Sequence, residues 1–157
     1  MDTVSIVFIS IISLILLSIP VMIIVSVIQL GRRSKEMQAF AAGHGYNFTR
    51  RERLPDDLRD LPYFRNGVQI NFRRYIKNVL RREHNGIDTM VFDYWYLNVS
   101  GVTLPTSRTA RASVVCLRRG HASPWQVSSM EDFVYPDFSQ VLDLLKQSMK
   151  ELHKHDL

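Results

Sequence analysis

Between Val4 and Leu30 the chain runs for 27 residues without a charged side chain, VSIVFISIISLILLSIPVMIIVSVIQL. Few architectures can absorb such a run. A helix needs about 20 apolar residues to cross the hydrocarbon core of a bilayer, and a longer run can cross with tilt. A core helix in a small soluble domain would be shorter and would keep a polar stripe, whereas this segment is apolar all round. A secretory signal would carry a basic leader, a shorter apolar stretch and a small-residue cleavage site. Here Met1-Asp2-Thr3 precedes the run, no A-x-A pattern closes it, and it exits directly into Gly31-Arg32-Arg33-Ser34-Lys35. The expectation is an uncleaved anchor.

The flanks orient that anchor. Arg32, Arg33 and Lys35 follow the run and no cation precedes it, so the positive-inside rule puts the C-terminal side in the cytoplasm. The single thiol, Cys116, suits a reducing compartment. Residues 31–119 carry 17 Lys and Arg against 8 acids, while residues 120–157 carry 3 against 6. A basic half beside a membrane is attracted to anionic headgroups by ~1 kcal/mol per well-placed cation. Membrane lipid is therefore an expected partner, with Arg32, Arg33 and Lys35 as its contacts and the other charges as solvated surface.

The remaining chain divides into a juxtamembrane helix, 32–45, and one modest domain, 46–157, behind an anchor at 1–31. Met37, Phe40, Ala41 and His44 recur at helical spacing, in a helix that continues the anchor or restarts after Gly31, and Gly43 and Gly45 supply a stop. Leu54-Pro55-Asp56-Asp57-Leu58 reads as a helical turn, and Val68–Phe72 alternates as a strand. Asn85-Gly86 is the dipeptide of a type I′ hairpin. That turn pairs Tyr75–His84 with Ile87–Leu97 in a register where facing positions sum to 171, setting Leu80 on Val91, Val79 on Phe92, Asn78 on Asp93 and Ile76 on Trp95. The second of these strands is apolar or aromatic on both faces, so it should be central and covered on both sides. Thr106–Leu117 is the next antiparallel strand and Trp125–Val127 a short edge strand. Asp137 or Ser139 caps a final amphipathic helix whose apolar face includes Val141, Leu145, Met149 and Leu152. The fold class is α+β: one transmembrane helix, then a small antiparallel meander of about five strands packed by a C-terminal helix.

Leu61-Pro62-Tyr63-Phe64-Arg65-Asn66-Gly67, Asn78-Val79-Leu80, Gly86 and Val91-Phe92-Asp93-Tyr94-Trp95-Tyr96 together resemble the LPxFxxG…NVLxG…GxxVxxFDYxY pattern of a bacterial family of small single-pass membrane-anchored proteins of uncharacterised function. Thr106 and Thr109 are similar to threonines that follow in that pattern. The likeness covers roughly residues 61–115 and departs at Arg82, where the pattern has Gly. It implies an anchored α+β domain in bacteria, hence an inner-membrane location, and supplies no catalytic residue.

Asp93 is the most pointed single residue, a carboxylate inside a strand that disfavours it. It is either a functional acid, as general base or ligand contact, or half of a structural pair with Asn78, Arg108 or Arg111. The five histidines do not cluster in sequence, and no zinc spacing, phosphate-binding glycine loop, nucleophile elbow or H-E-x-x-H is present. Cys116 lies in the apolar run Val114–Leu117 and reads as core. The pairs Arg73-Arg74, Arg81-Arg82 and Arg118-Arg119 could hold phosphates or nucleic acid, but each splits across opposite faces of a strand, so no single-face patch is implied, and the aromatics Tyr94, Trp95 and Tyr96 read as core. No cofactor, metal or nucleic-acid partner is expected. The expected role is a non-enzymatic accessory or scaffold subunit binding other subunits of a membrane complex. A peripheral anionic-lipid or ligand-binding module and an enzyme built around Asp93 are the alternatives.

Overall fold

The computed structural model describes residues 3–65, 75–100, 106–132 and 135–154, with the backbone alone at 3–11, 15, 22, 26, 65, 96–100, 106–110 and 132. Two compact units divide the chain, Met1–Lys35 and Glu36–Leu157. The first is helical. Helix α1 runs from Thr3 to His44 without a break at Gly31, and Pro20 lies inside it. Among the described residues it is the one helix long and apolar enough to cross a membrane. Leu14, Leu17, Ile24 and Val27 along it are exposed. That arrangement is unfavourable in water and favourable in hydrocarbon.

Of the two courses open to residues 32–44, continuation of the anchor helix or a restart after Gly31, the helix takes the first. Its last turns, with Met37 and Ala41 fully buried, contribute to the core of the second unit. The helix stops as the glycines require. Gly45 takes φ +69°, and the Tyr46 amide donates to the Ala41 carbonyl at 3.0 Å, which closes a Schellman motif.

The second unit is an α+β domain. Strands β1 (Asn47–Arg53), β2 (Tyr75–His84), β3 (Ile87–Ser100), β4 (Thr106–Arg119) and β5 (Gln126–Asp132) form an antiparallel meander in chain order. Short helices α2 (Asp56–Arg59) and α3 (Pro62–Arg65) follow β1, and α4 (Phe138–Lys154) closes the described chain. Asp137 holds the position before α4, and Gln140, three residues on, accepts from the Asp137 amide at 3.1 Å, one half of a capping box. The sheet is buried on both faces, as the composition of β3 demands. Leu54, Leu58 and Phe64 cover the face bearing Met90, Phe92, Tyr94, Val114 and Cys116. Met37, Ala41 and the α4 residues Val141, Leu145 and Leu152 cover the face bearing Leu80, Val91, Val115 and Leu117.

Three expectations change. Strand β1 was not anticipated; the proposed strand Val68–Phe72 lies outside the described residues. The hairpin turn itself is as expected, with Asn85 at φ +52° and Gly86 at φ +73°, both positive as a type I′ turn requires. The sum-of-171 register holds from His84↔Ile87 to Leu80↔Val91, but Lys77 then faces Asp93 because the ladder shifts between Lys77 and Leu80. One extra β2 residue is accommodated there, with Asn78 at φ +50°. Asn tolerates the left-handed region that a bulge of this kind uses. Beyond the bulge the expected facing of Ile76 with Trp95 is lost. Finally, Tyr94 is buried at 3 %, but Trp95 is 42 % exposed rather than core.

Candidate functional site

Asp93 lies on the central strand and is 1 % exposed. Asn78 Nδ2 donates to its Oδ2 at 2.8 Å, and Ser113 Oγ donates to its Oδ1 at 3.0 Å. Each partner has a structural reason to be there. Ser113 faces Asp93 directly across the β3–β4 ladder. Asn78 no longer faces it by register, yet the bulge turns the Asn78 side chain back toward it. A buried carboxylate is tolerated when its lone pairs are occupied. The arrangement seals the acid inside the sheet, away from any solute. Of the other candidate partners, Arg111 lies over the Tyr135 ring at 5.7 Å, and the Arg108 side chain lies outside the described atoms.

Cys116 is equally enclosed, at 0 % exposure. Burial, and secondarily the charge of Asp57, pushes its thiol far above the ordinary range. Since the thiolate is the reactive form, maleimide should label the folded full-length protein many-fold more slowly than the urea-unfolded chain. The native rate should stay slow on raising the pH to about 9, near the ordinary thiol pKa. Fast native labelling would contradict the burial.

The loop end of the sheet carries a polar cluster. Arg118 Nε donates to Asp88 Oδ2 at 2.7 Å and its Nη1 to Asp57 Oδ2 at 3.0 Å. Its guanidinium also covers the Trp125 ring at 4.2 Å, and Trp125 Nε1 donates to Asp57 at 2.8 Å. This cluster ties α2 to β3, β4 and the segment before β5. Glu83, Asp88 and His121 bring three potential metal-ligand atoms within 4.8 Å of one another. However, Arg118 already supplies positive charge to Asp88, and its Nη2 lies 3.1 Å from His121 Nδ1. A divalent cation would have to displace that guanidinium, so the donor set does not favour a metal.

On the α4 side lies an open cavity of about 350 Å³, bounded by Tyr46, Arg82, His84, Arg119, Met149 and His153 among others. Sequence weighs Arg82 and Arg119 only as halves of adjacent-arginine pairs that could hold phosphates, and sets them aside because each pair splits across a strand. Of the expected lipid contacts, Arg32 and Lys35 are exposed and Arg33 is buried at 8 %.

No family model, curated protein or solved structure matches this chain.

Proposed function

We propose that this protein is a single-pass, non-enzymatic subunit of the bacterial inner membrane. In this reading the N-terminus lies outside and the α+β domain is cytoplasmic, where it binds partner subunits of a larger membrane complex as an accessory or scaffold. The observation that carries this reading is helix α1, whose apolar side chains lie exposed along a run of membrane-spanning length. A helix of that kind needs lipid or other apolar helices around it. The basic residues Arg32 and Lys35, exposed just past the uncharged run, support the orientation. A binding role is supported over catalysis by the placement of the most chemically pointed side chains, Asp93 and Cys116, which are buried and engaged in packing. A second reading, a module that binds an anionic lipid or ligand, is favoured by the cavity beside α4.

The test is extraction of the native protein in mild detergent or nanodiscs, followed by sizing and mass spectrometry of what accompanies it. Stoichiometric co-purification with a second membrane protein is the expected result. A lone monomer or homo-oligomer under several mild extraction conditions would overturn the accessory-subunit reading.

A further inference from the structure

Outside α1, the exposed large hydrophobic side chains among the described residues are Tyr75 and Trp95, at 36 % and 42 %. Register puts them on one side of the sheet with a group of cations. Arg53 faces Tyr75 and Arg51 faces Lys77 across β1–β2. Lys77 faces Asp93 across β2–β3, and Trp95 faces Arg111 across β3–β4. Facing residues of an antiparallel pair project to the same side, and residues two apart on a strand share a side. Arg51, Arg53, Tyr75, Lys77, Trp95 and Arg111 therefore gather on one side. Val91, two before Asp93 on β3, belongs to it as well and is covered by Met37, Ala41 and α4. That cover stops short of Trp95.

The uncovered patch is cationic. Arg51, Arg53 and Lys77 are exposed, and the Arg51 guanidinium lies 4.1 Å from the centre of the Tyr75 ring, which holds charge and aromatic surface together. The acids nearest by register offset little of this charge. Asp93 is buried and accepts from Asn78 and Ser113. Glu52 alternates to the other side of β1 from Arg51 and Arg53 and bonds Arg81. Asp132 faces Arg111 on β5, away from the β1 and β2 cations. Amphipathic rings among cations suit a layer of lipid headgroups. Trp and Tyr favour the membrane–water interface, and well-placed Lys and Arg are drawn to anionic lipid. The core of a protein–protein interface, by contrast, is depleted in Lys. The chain also carries its own helix long and apolar enough to cross a bilayer, and that helix continues into the core of the domain. Such a tether makes a weak surface contact intramolecular.

We propose that this patch docks the domain on an anionic bilayer surface, with Trp95 and Tyr75 entering the interfacial layer and Arg51, Arg53 and Lys77 engaging headgroup phosphates. The inference rests on the reading of α1 as an anchor and goes beyond the binding of partner subunits.

Trp95 and Trp125 are the two tryptophans of the chain, and α1 has none, so tryptophan emission reports on the domain. The experiment places the full-length protein in nanodiscs of phosphatidylcholine, with or without phosphatidylglycerol, whose acyl chains are brominated near the headgroup and quench tryptophan on close contact. Co-elution with the discs reports the anchor separately. The expected result is quenching in anionic discs that Trp95→Phe abolishes and that fades in neutral discs and at high salt. Arg53→Gln/Lys77→Gln should lower the docked-to-free ratio by roughly tenfold or more. Lys150→Gln/Lys154→Gln, an equal change in charge at exposed positions of α4, should leave it unaltered. Thermal melts report folding of each variant. Should Arg53→Gln/Lys77→Gln unfold, the dependence of wild-type quenching on salt and lipid charge carries the test. Protein that elutes apart from the discs removes the anchored reading and the proposal with it. Unquenched Trp95 in protein that co-elutes with anionic discs, or quenching equal across lipids and variants, overturns the proposal alone. So does a Trp95 that is unquenched in discs yet shielded from acrylamide in the natively extracted complex, which would give the patch to a protein partner.

Discussion

Phe64→Ala is expected to destabilise the α+β domain by about 3–5 kcal/mol, a large part of the 5–15 kcal/mol typical of a folded domain. Phe64 is 1 % exposed. Its ring meets Tyr94 edge-on at 5.3 Å, Tyr63 edge-on at 4.9 Å and Phe92 at 6.1 Å. Such aromatic pairs add stability beyond their buried area. It also sits on a helix of only four residues, too short to hold itself by backbone bonds alone, so the cover over this sheet face depends on side-chain anchors. The melting temperature followed by near-ultraviolet circular dichroism should fall by more than about 10 °C. Tyr63→Phe is the control. It removes the exposed hydroxyl bond to Glu131, 2.9 Å long, while keeping the ring, and should cost no more than about 1 kcal/mol. Comparable effects of the two changes would contradict the assignment of Phe64 as the anchor.

Asp93→Ala is the second large effect, expected to cost about 2–5 kcal/mol because it removes the acceptor that Asn78 and Ser113 share in the core. Asp93→Asn should cost much less. Its amide oxygen can accept from Asn78, and its amide N–H can donate to the Ser113 hydroxyl, which rotates to accept. Thermal melts of the two variants should therefore rank Ala well below Asn, with any cellular defect following stability. An Asp93→Asn protein that melts like the wild type yet loses all function would instead mark the carboxylate as chemically active.

What could be read in advance, and what could not, separates along local and non-local lines. The turn at Asn85-Gly86 was legible because two consecutive positive φ angles admit few residue types. The four pairs His84↔Ile87, Glu83↔Asp88, Arg82↔Thr89 and Arg81↔Met90 follow from that turn alone. The bulge at Asn78 was not legible, since an Asn in a strand reads equally well as a solvent-facing polar position, and only tertiary packing reveals the extra residue. Strand β1, NFTRRER, carries too little apolar alternation to show itself. Charged side chains are what an exposed edge strand uses to discourage further pairing, and here Arg81 pairs with Glu52 and Arg51 lies 4.1 Å from the Tyr75 ring centre. Trp95 looked like core because large aromatics usually are. Its exposure depends on how far the neighbouring elements extend along β3, which no local pattern encodes. The cavity beside α4 was hidden for a similar reason. Each Arg pair splits predictably, but that Arg82 and Arg119 converge requires the register of three strands and the seat of α4.

The accessory-subunit reading rests on α1 as a membrane anchor with the domain inside the cell. Protease protection tests this most directly, on spheroplasts and on inverted inner-membrane vesicles expressing the tagged full-length protein, with alkaline carbonate extraction alongside. The expected result is a protein that stays in the carbonate pellet, with a C-terminal domain protected in intact spheroplasts and digested in inverted vesicles. Release by carbonate, or digestion of the domain from outside intact spheroplasts, would contradict it.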